Sequence, residues 1–145
     1  MATTCAASAM LAKTDGSRWV VDSGATQHMC RDLNAFLKER KTVDGKVFLG
    51  DSSSIPVSFS GSVRLELLQP STAPCPVTLK DVLAVEDLSR NLLSVSSCLK
   101  NGVDVNFFDA SRECHLMREG KLLGRALEEN SLWVLQAEHL NTPPP

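Results

Sequence analysis

Between Trp19 and Gln136 the chain never runs far without a turn signal, and this punctuation limits what it can fold into. Short runs rich in Val, Leu, Phe and Trp are separated by Gly, Ser, Asn and Asp clusters, at a spacing that suits strands better than long helices. Ser62-Val63-Arg64-Leu65-Glu66-Leu67 alternates with period two, as a half-buried strand does. Val47-Phe48-Leu49 and Ile55-Pro56-Val57 flank the polar cluster Gly50-Asp51-Ser52-Ser53-Ser54, which predicts a hairpin with a polar tip. Val77 to Val85 reads as two extended pieces with Lys80-Asp81 between them in a buried region. Val103 to Phe108, Glu113 to Arg118, Lys121 to Ala126 and Ser131 to Gln136 read as further strands, with turns at Asp109 to Arg112 and at Glu119-Gly120.

Two places carry a helical signal instead. Leu33, Phe36 and Leu37 fall at i, i+3, i+4 and predict one or two helical turns before Lys38-Glu39-Arg40-Lys41. Asn91 to Leu99 reads as a short helix closed by Asn101-Gly102. The expected fold class is therefore all-β, a small closed β barrel with one or two short helices.

Residues 1–16 are rich in Ala, Thr and Ser and read as a flexible leader or linker. Residues 17–137 form the expected domain, and 138–145, ending in Pro143-Pro144-Pro145, read as a linker stub. Five cysteines scattered over 145 residues, with no CxxC, suit a reduced chain better than a disulfide scaffold. Fifteen basic against seventeen acidic residues, without a Lys or Arg run, give no surface for tracking a phosphate backbone. No direct nucleic-acid partner is expected, and no apolar run has the length to cross a bilayer. A soluble, cytoplasmic protein is the expectation.

The chemistry concentrates at Trp19-Val20-Val21-Asp22-Ser23-Gly24-Ala25-Thr26. An apolar strand delivers a carboxylate, a hydroxyl and a glycine in succession, so a tight turn presents Asp22 at its tip. Glycine lets the backbone approach a substrate closely, and a serine hydroxyl braces such a turn. If a second carboxylate faces the first, the pair shares one proton; one member activates water while the other protonates a carbonyl oxygen. Asp-Ser-Gly occurs once, so a paired-aspartate mechanism requires two copies of the chain and a two-fold axis at Asp22. The hairpin tip about thirty residues later is placed to serve as a lid.

These residues, with Gln27-His28-Met29, Val47-Phe48-Leu49-Gly50-Asp51, Leu79 to Val85, Asn91-Leu92-Leu93-Ser94-Val95 and Ser131 to Leu135, form an ordered set. The set resembles the aspartic protease region of Ty1/copia-type retrotransposon polyproteins, within the retropepsin class. The resemblance implies a homodimeric retropepsin-like β barrel that needs no cofactor and cleaves peptide bonds in a Gag-Pol polyprotein. It makes Asp22 the catalytic aspartate and Ser23 a brace spanning the dimer. Gly24 would offer its carbonyl to substrate main chain, and Ala25 and Thr26 would support the turn. Gly50, Asp51, Ser52, Ser53, Ser54 and Ile55 would form the flap, and Asn91 to Leu99 would support the active-site loop. Retroviral members carry glycine where Ser94 stands, a glycine-rich flap where Asp51 to Ser54 stand, and acidic residues at the positions of Thr26 and Gln27.

Other readings are weaker. His28, Cys30, Cys98, Cys114 and His115 lack the spacing of a metal site; Cys114 and His115 read instead as inward and outward neighbours on a strand. Gly50-Asp51-Ser52 echoes an esterase serine box without the helix that box needs. Asp81 reads as a turn cap, and Trp19 and Trp133 as core or dimer-interface anchors. A catalytically silent β barrel that binds a protein partner is the alternative to the protease.

Overall fold

The computed structural model describes residues 16–48 and 53–140. Nearly all of the expected leader, the flap residues Gly50, Asp51 and Ser52, and the Pro-rich end lie outside the described residues.

The described chain is all-β. Its strands are β1 (Trp19–Asp22), β2 (Met29–Cys30), β3 (Phe36–Lys41), β4 (Lys46–Phe48), β5 (Ser54–Pro56), β6 (Phe59–Leu67), β7 (Cys75–Ala84) and β8 (Asn91–Ser94). The α-helix α1 (Val95–Lys100) follows, and then β9 (Asp104–Phe108), β10 (Glu113–Arg118), β11 (Lys121–Glu129), β12 (Leu132–Leu135) and β13 (Ala137–His139). The main sheet runs β13-β6-β7-β2-β8-β1-β12-β11-β10-β9, with β3 also paired to β6, while among the described residues β4 and β5 pair only with each other.

The closed barrel expected from the sequence is not formed among the described residues; the ladder is an open path. At one end the meander β9-β10-β11 extends the sheet past β12. At the other, the edge of β6 is shared, since β3 pairs with its first half and β13 with its second. Gln136 separates β12 from β13: its N–H donates to the Arg125 carbonyl at 3.0 Å and its carbonyl accepts from Leu68 N–H at 2.9 Å. A nearly continuous segment thus bonds to β1 and β11 with its first part and to β6 with its second.

Both helical expectations need correction. Leu33–Ala35 forms a single 3₁₀ turn whose start is capped by Asp32, and Phe36–Lys41 is a strand. The free edge of β6 offers backbone partners, and the charged run Lys38 to Lys41 stays exposed along that edge, so tertiary pairing overrides the helical spacing. Asn91–Ser94 is a strand, and the helix begins only at Val95. β8 lies inside the sheet between β1 and β2, fully buried, where so short a segment shows no period that tells strand from helix. Residues 77–84 belong to one long strand; Asp81 sits in it at φ 56° and is exposed, not in the buried setting expected of it.

Side-chain alternation builds two cores. On β6, Val63, Leu65 and Leu67 are buried and their neighbours less so; they join Trp19, Val21, Leu93 and Leu135 in one cluster. Val20, Ala25, Met29, Val47, Leu92 and Val134 belong to a second. β1 and β8 send alternate residues into both, which is why neither shows a polar face. Gly124 is needed for close approach, because a Cβ there would lie 2.8 Å from the Leu67 side chain. Glu119 and Gly120 take φ 50° and 77° at the β10-β11 turn, the left-handed pair that a two-residue hairpin requires. Cys114 is buried and His115 half-buried on β10, the alternation expected.

Candidate active site at the Asp22 turn

β1 ends on Asp22, and its parallel partner β8 ends on Ser94, the two residues standing in register. The Asp22 carboxylate accepts from Gly24 N–H at 2.7 Å, an Asx turn that folds the chain back across the end of the strand. Asp22 is only 2% exposed, whereas Ser23 stands out at the tip. The sequence pointed to a presented carboxylate; in the single chain the hydroxyl is presented and the carboxylate is covered.

What fixes the turn comes from β8 and α1. Ser94 Oγ donates to the Ala25 carbonyl at 2.7 Å and accepts from Ser97 N–H at 3.0 Å, capping the helix with the same atom. Ser97 Oγ donates to the Thr26 carbonyl at 3.3 Å. The Ser94 N–H donates to His28 Nδ1 at 2.9 Å. On the other flank, the His28 carbonyl accepts from Leu83 N–H at 2.9 Å, and Gln27 Nε2 donates to the Asp81 carbonyl at 3.4 Å. Every residue from Asp22 to His28 except Ser23 therefore has a hydrogen bond described here that ties it within the turn or to its neighbours.

Asn91, fully buried at the start of β8, braces the entry to β1. Its side chain accepts from Arg31 N–H at 2.8 Å and donates to the Ser17 carbonyl at 3.1 Å. Asn91, Ser94, Ser97 and His28 were not assigned these roles from sequence. The signal available was the N-cap pattern of Ser94 followed three residues later by Ser97, hidden by reading the whole segment as helix.

The two histidines nearest β1 and β8 are both held neutral. Burial pushes His28 down to about 4. His139 Nε2 accepts from Trp19 Nε1–H at 2.9 Å, and burial lowers its pKa also, against the opposing pull of Asp32. Burial lifts the thiols of Cys30, Cys98 and Cys114 to about 12, 11 and 12, so they stay protonated at neutral pH and are poor nucleophiles.

The hairpin expected from the sequence is formed, while Gly50, Asp51 and Ser52 of its expected flap lie outside the described residues. β4 and β5 form an antiparallel hairpin with Val47 opposite Ile55 and Phe48 opposite Ser54. Val47 is fully buried in the cluster that includes Ala25, and Ile55 packs against that cluster, so hairpin and turn share one apolar floor. Ser53 and Ser54 are exposed at its described end. A cavity of about 430 Å³ lies under the turn, lined by His28, Leu65, Val77, Leu93, Ser97 and Cys98 among others; Asp22 is not on its wall. Among the described residues no group of three or more His, Cys, Asp or Glu converges as a metal site would require, and no helix is long and apolar enough to span a membrane.

Residues 19–103, from the strand that carries Asp22 to the end of the helix that pins it, match the family described as Pol polyprotein, beta-barrel domain. The chain belongs to this family. The chain is similar to the retrovirus-related Pol polyproteins of transposons RE1 and RE2 from Arabidopsis thaliana. Identity is 36% over 123 residues and 32% over 125, covering 82% and 83% of this chain. It is also similar to a transposon Ty5-1 protein of Saccharomyces cerevisiae, 34% identical over 91 residues, covering 63% of this chain and 56% of that protein. The chain spans about 8% of the length of each Arabidopsis polyprotein. No solved structure matches it significantly. The Pol β-barrel domain is thus a region of the Ty/copia-type retrotransposon Pol polyprotein.

Proposed function

We propose that this region is the aspartic endopeptidase of its polyprotein, acting as a homodimer in which two Asp22 carboxylates activate one water against a peptide bond. The observation that carries the reading is the Asp22-Ser23-Gly24 turn, pinned by Ser94, Ser97 and His28 at the end of a buried strand. Such multiple fixation holds a reacting group in place without reorganisation at the moment of reaction. One copy of the motif per chain and an exposed Ser23 at its tip support a second copy meeting the first there. The β4-β5 hairpin, seated beside Ala25 on a shared apolar cluster, would cover an extended peptide, whose main chain pairs with strand edges while apolar pockets select its side chains.

The burial of Asp22 in the single chain favours a second reading, a silent barrel that binds a protein partner. One experiment separates them. Asn at position 22 keeps an oxygen for Gly24 N–H, so Asp22→Asn retains the turn and removes the acid-base function. In a fusion with its upstream linker, the native chain releases itself between mildly acidic and neutral pH and Asp22→Asn loses at least roughly 10³-fold in rate. Equal processing by both, or by neither at any pH in that range, defeats the protease. A dimer with the two Asp22 carboxylates far apart defeats the dyad.

A further inference from the structure

His28 is the buried titratable group whose protonation the chemistry above does not use. Its Nδ1 accepts from Ser94 N–H at 2.9 Å, so the neutral ring carries its proton on Nε2. Ser94 is the parallel partner of Asp22, and its hydroxyl holds the Ala25 carbonyl. A single imidazole nitrogen thus joins His28 to the set of contacts among Asp22, Ala25 and Ser94. A doubly protonated ring has no acceptor left: Nδ1–H would face the Ser94 N–H, donor against donor, on a side chain that is only 4% exposed.

We propose that His28 is the positioning residue of the Asp22 turn, an acid-sensitive lock whose neutral Nε2–H tautomer keeps β8 in register with the catalytic strand and whose protonation releases it. Its consequence for catalysis rests on the aspartic reading; the lock itself does not. An aspartic dyad needs one proton, while the lock needs an unprotonated imidazole, so the two together set an acid limit on activity that the carboxylates alone would not. The groups on the packed elements are Asp22 on β1, Lys80 and Asp81 on β7, Cys98 and Lys100 on α1, and Arg118 on β10 across the cavity. Lys80, Asp81 and Lys100 are exposed to solvent. Burial is the cause that lowers His28.

The test uses the whole chain and two readouts. Nitrogen NMR of the imidazole identifies the tautomer at neutral pH, and amide shifts of Gly24, Ala25 and Ser94 are followed on acidification in the native chain and in His28→Asn. Asn places an acceptor oxygen where Nδ1 stands but does not titrate. The expected result is an Nε2–H ring at neutral pH and an amide transition near pH 4, the value to which burial brings His28, that disappears in His28→Asn. Carboxylates titrate in the same range, so the difference between the two chains is what is read. In the self-cleaving fusion, the acid limb of the rate profile moves to lower pH in His28→Asn. An Nδ1–H ring, or a Ser94 transition identical in both chains, overturns the lock. Cleavage with one acid limb for both chains overturns its catalytic part while leaving the protease standing. A fusion that never cleaves, with the amide difference as expected, removes the protease and leaves the lock.

Discussion

The Asp22 turn and the β4-β5 hairpin rest on the same apolar cluster, yet they are held in opposite ways. The turn is fixed by side chains reaching in from β8 and α1 and by backbone groups of β7, and the strand that leads into it is hydrogen-bonded on both edges. Among the described residues the hairpin has no ladder to the main sheet; Val47 plugs into the cluster, and Val57 N–H donates to the Gly45 carbonyl at 3.3 Å at its base. Two-stranded hairpins are marginal on their own, so this arm depends on the packing of Val47, Ile55 and Val57 against the cluster, while the turn beside it is also hydrogen-bonded to its neighbours. On the aspartic reading, the turn would be the fixed reacting group and the hairpin its yielding cover.

That contrast can be broken in order of size. Leu92→Ala removes a side chain 2% exposed from β8, in the cluster that turn and hairpin share, and should cost about 2–5 kcal/mol in urea unfolding. A loss under 1 kcal/mol would mean the floor of the site is loosely packed. Acid comes next. The His28 ring ordinarily titrates at 6.5 and here at about 4, so the unfolded chain binds the extra proton first. The stability is fully present above the ordinary value and drains as pH falls from there to the folded value, by about 3 kcal/mol at most. His139, lowered in the same direction, adds to the same trend. A stability curve flat across that window, or one unaltered by His28→Asn, would count against it. Ser94→Ala deletes the helix cap and the bond to Ala25 together and should lower stability by about 1–2 kcal/mol. Phe48→Ser, on the hairpin at 48% exposure, should stay within about 0.5 kcal/mol of native. If Phe48→Ser costs as much as Ser94→Ala, hairpin and turn are one cooperative unit and the contrast fails.

Legibility in the sequence followed the same line. Where one face of a strand meets water, period two is visible, and β6 and the β10 to β12 turns stand where the pattern puts them. The β4-β5 hairpin is announced by its polar tip. Inside the sheet the signal vanishes, because β8 is buried on both faces and Asn91-Leu92-Leu93-Ser94 looks the same as strand or helix. Phe36 to Lys41 was lost to a competing local signal, since the edge of β6 that recruits it lies far along the chain. The position of the turn was readable from Asp22-Ser23-Gly24, but its burial was not, and neither was the task of His28, which depends on a backbone N–H supplied from β8.

The parallel pairing of Trp19 to Asp22 with Asn91 to Ser94, and the antiparallel pairing of Trp19 with Leu135, also set a timetable. During synthesis the residues of the turn leave the ribosome early, but Ser94 and Ser97 follow far later, and β12 closes the other edge of β1 later still. Contacts so distant in sequence form slowly, because the long intervening chain must be closed before they are rewarded. A nascent chain therefore carries Asp22 long before it carries a formed site, and any chemistry at that residue begins only when nearly all of the domain has been made.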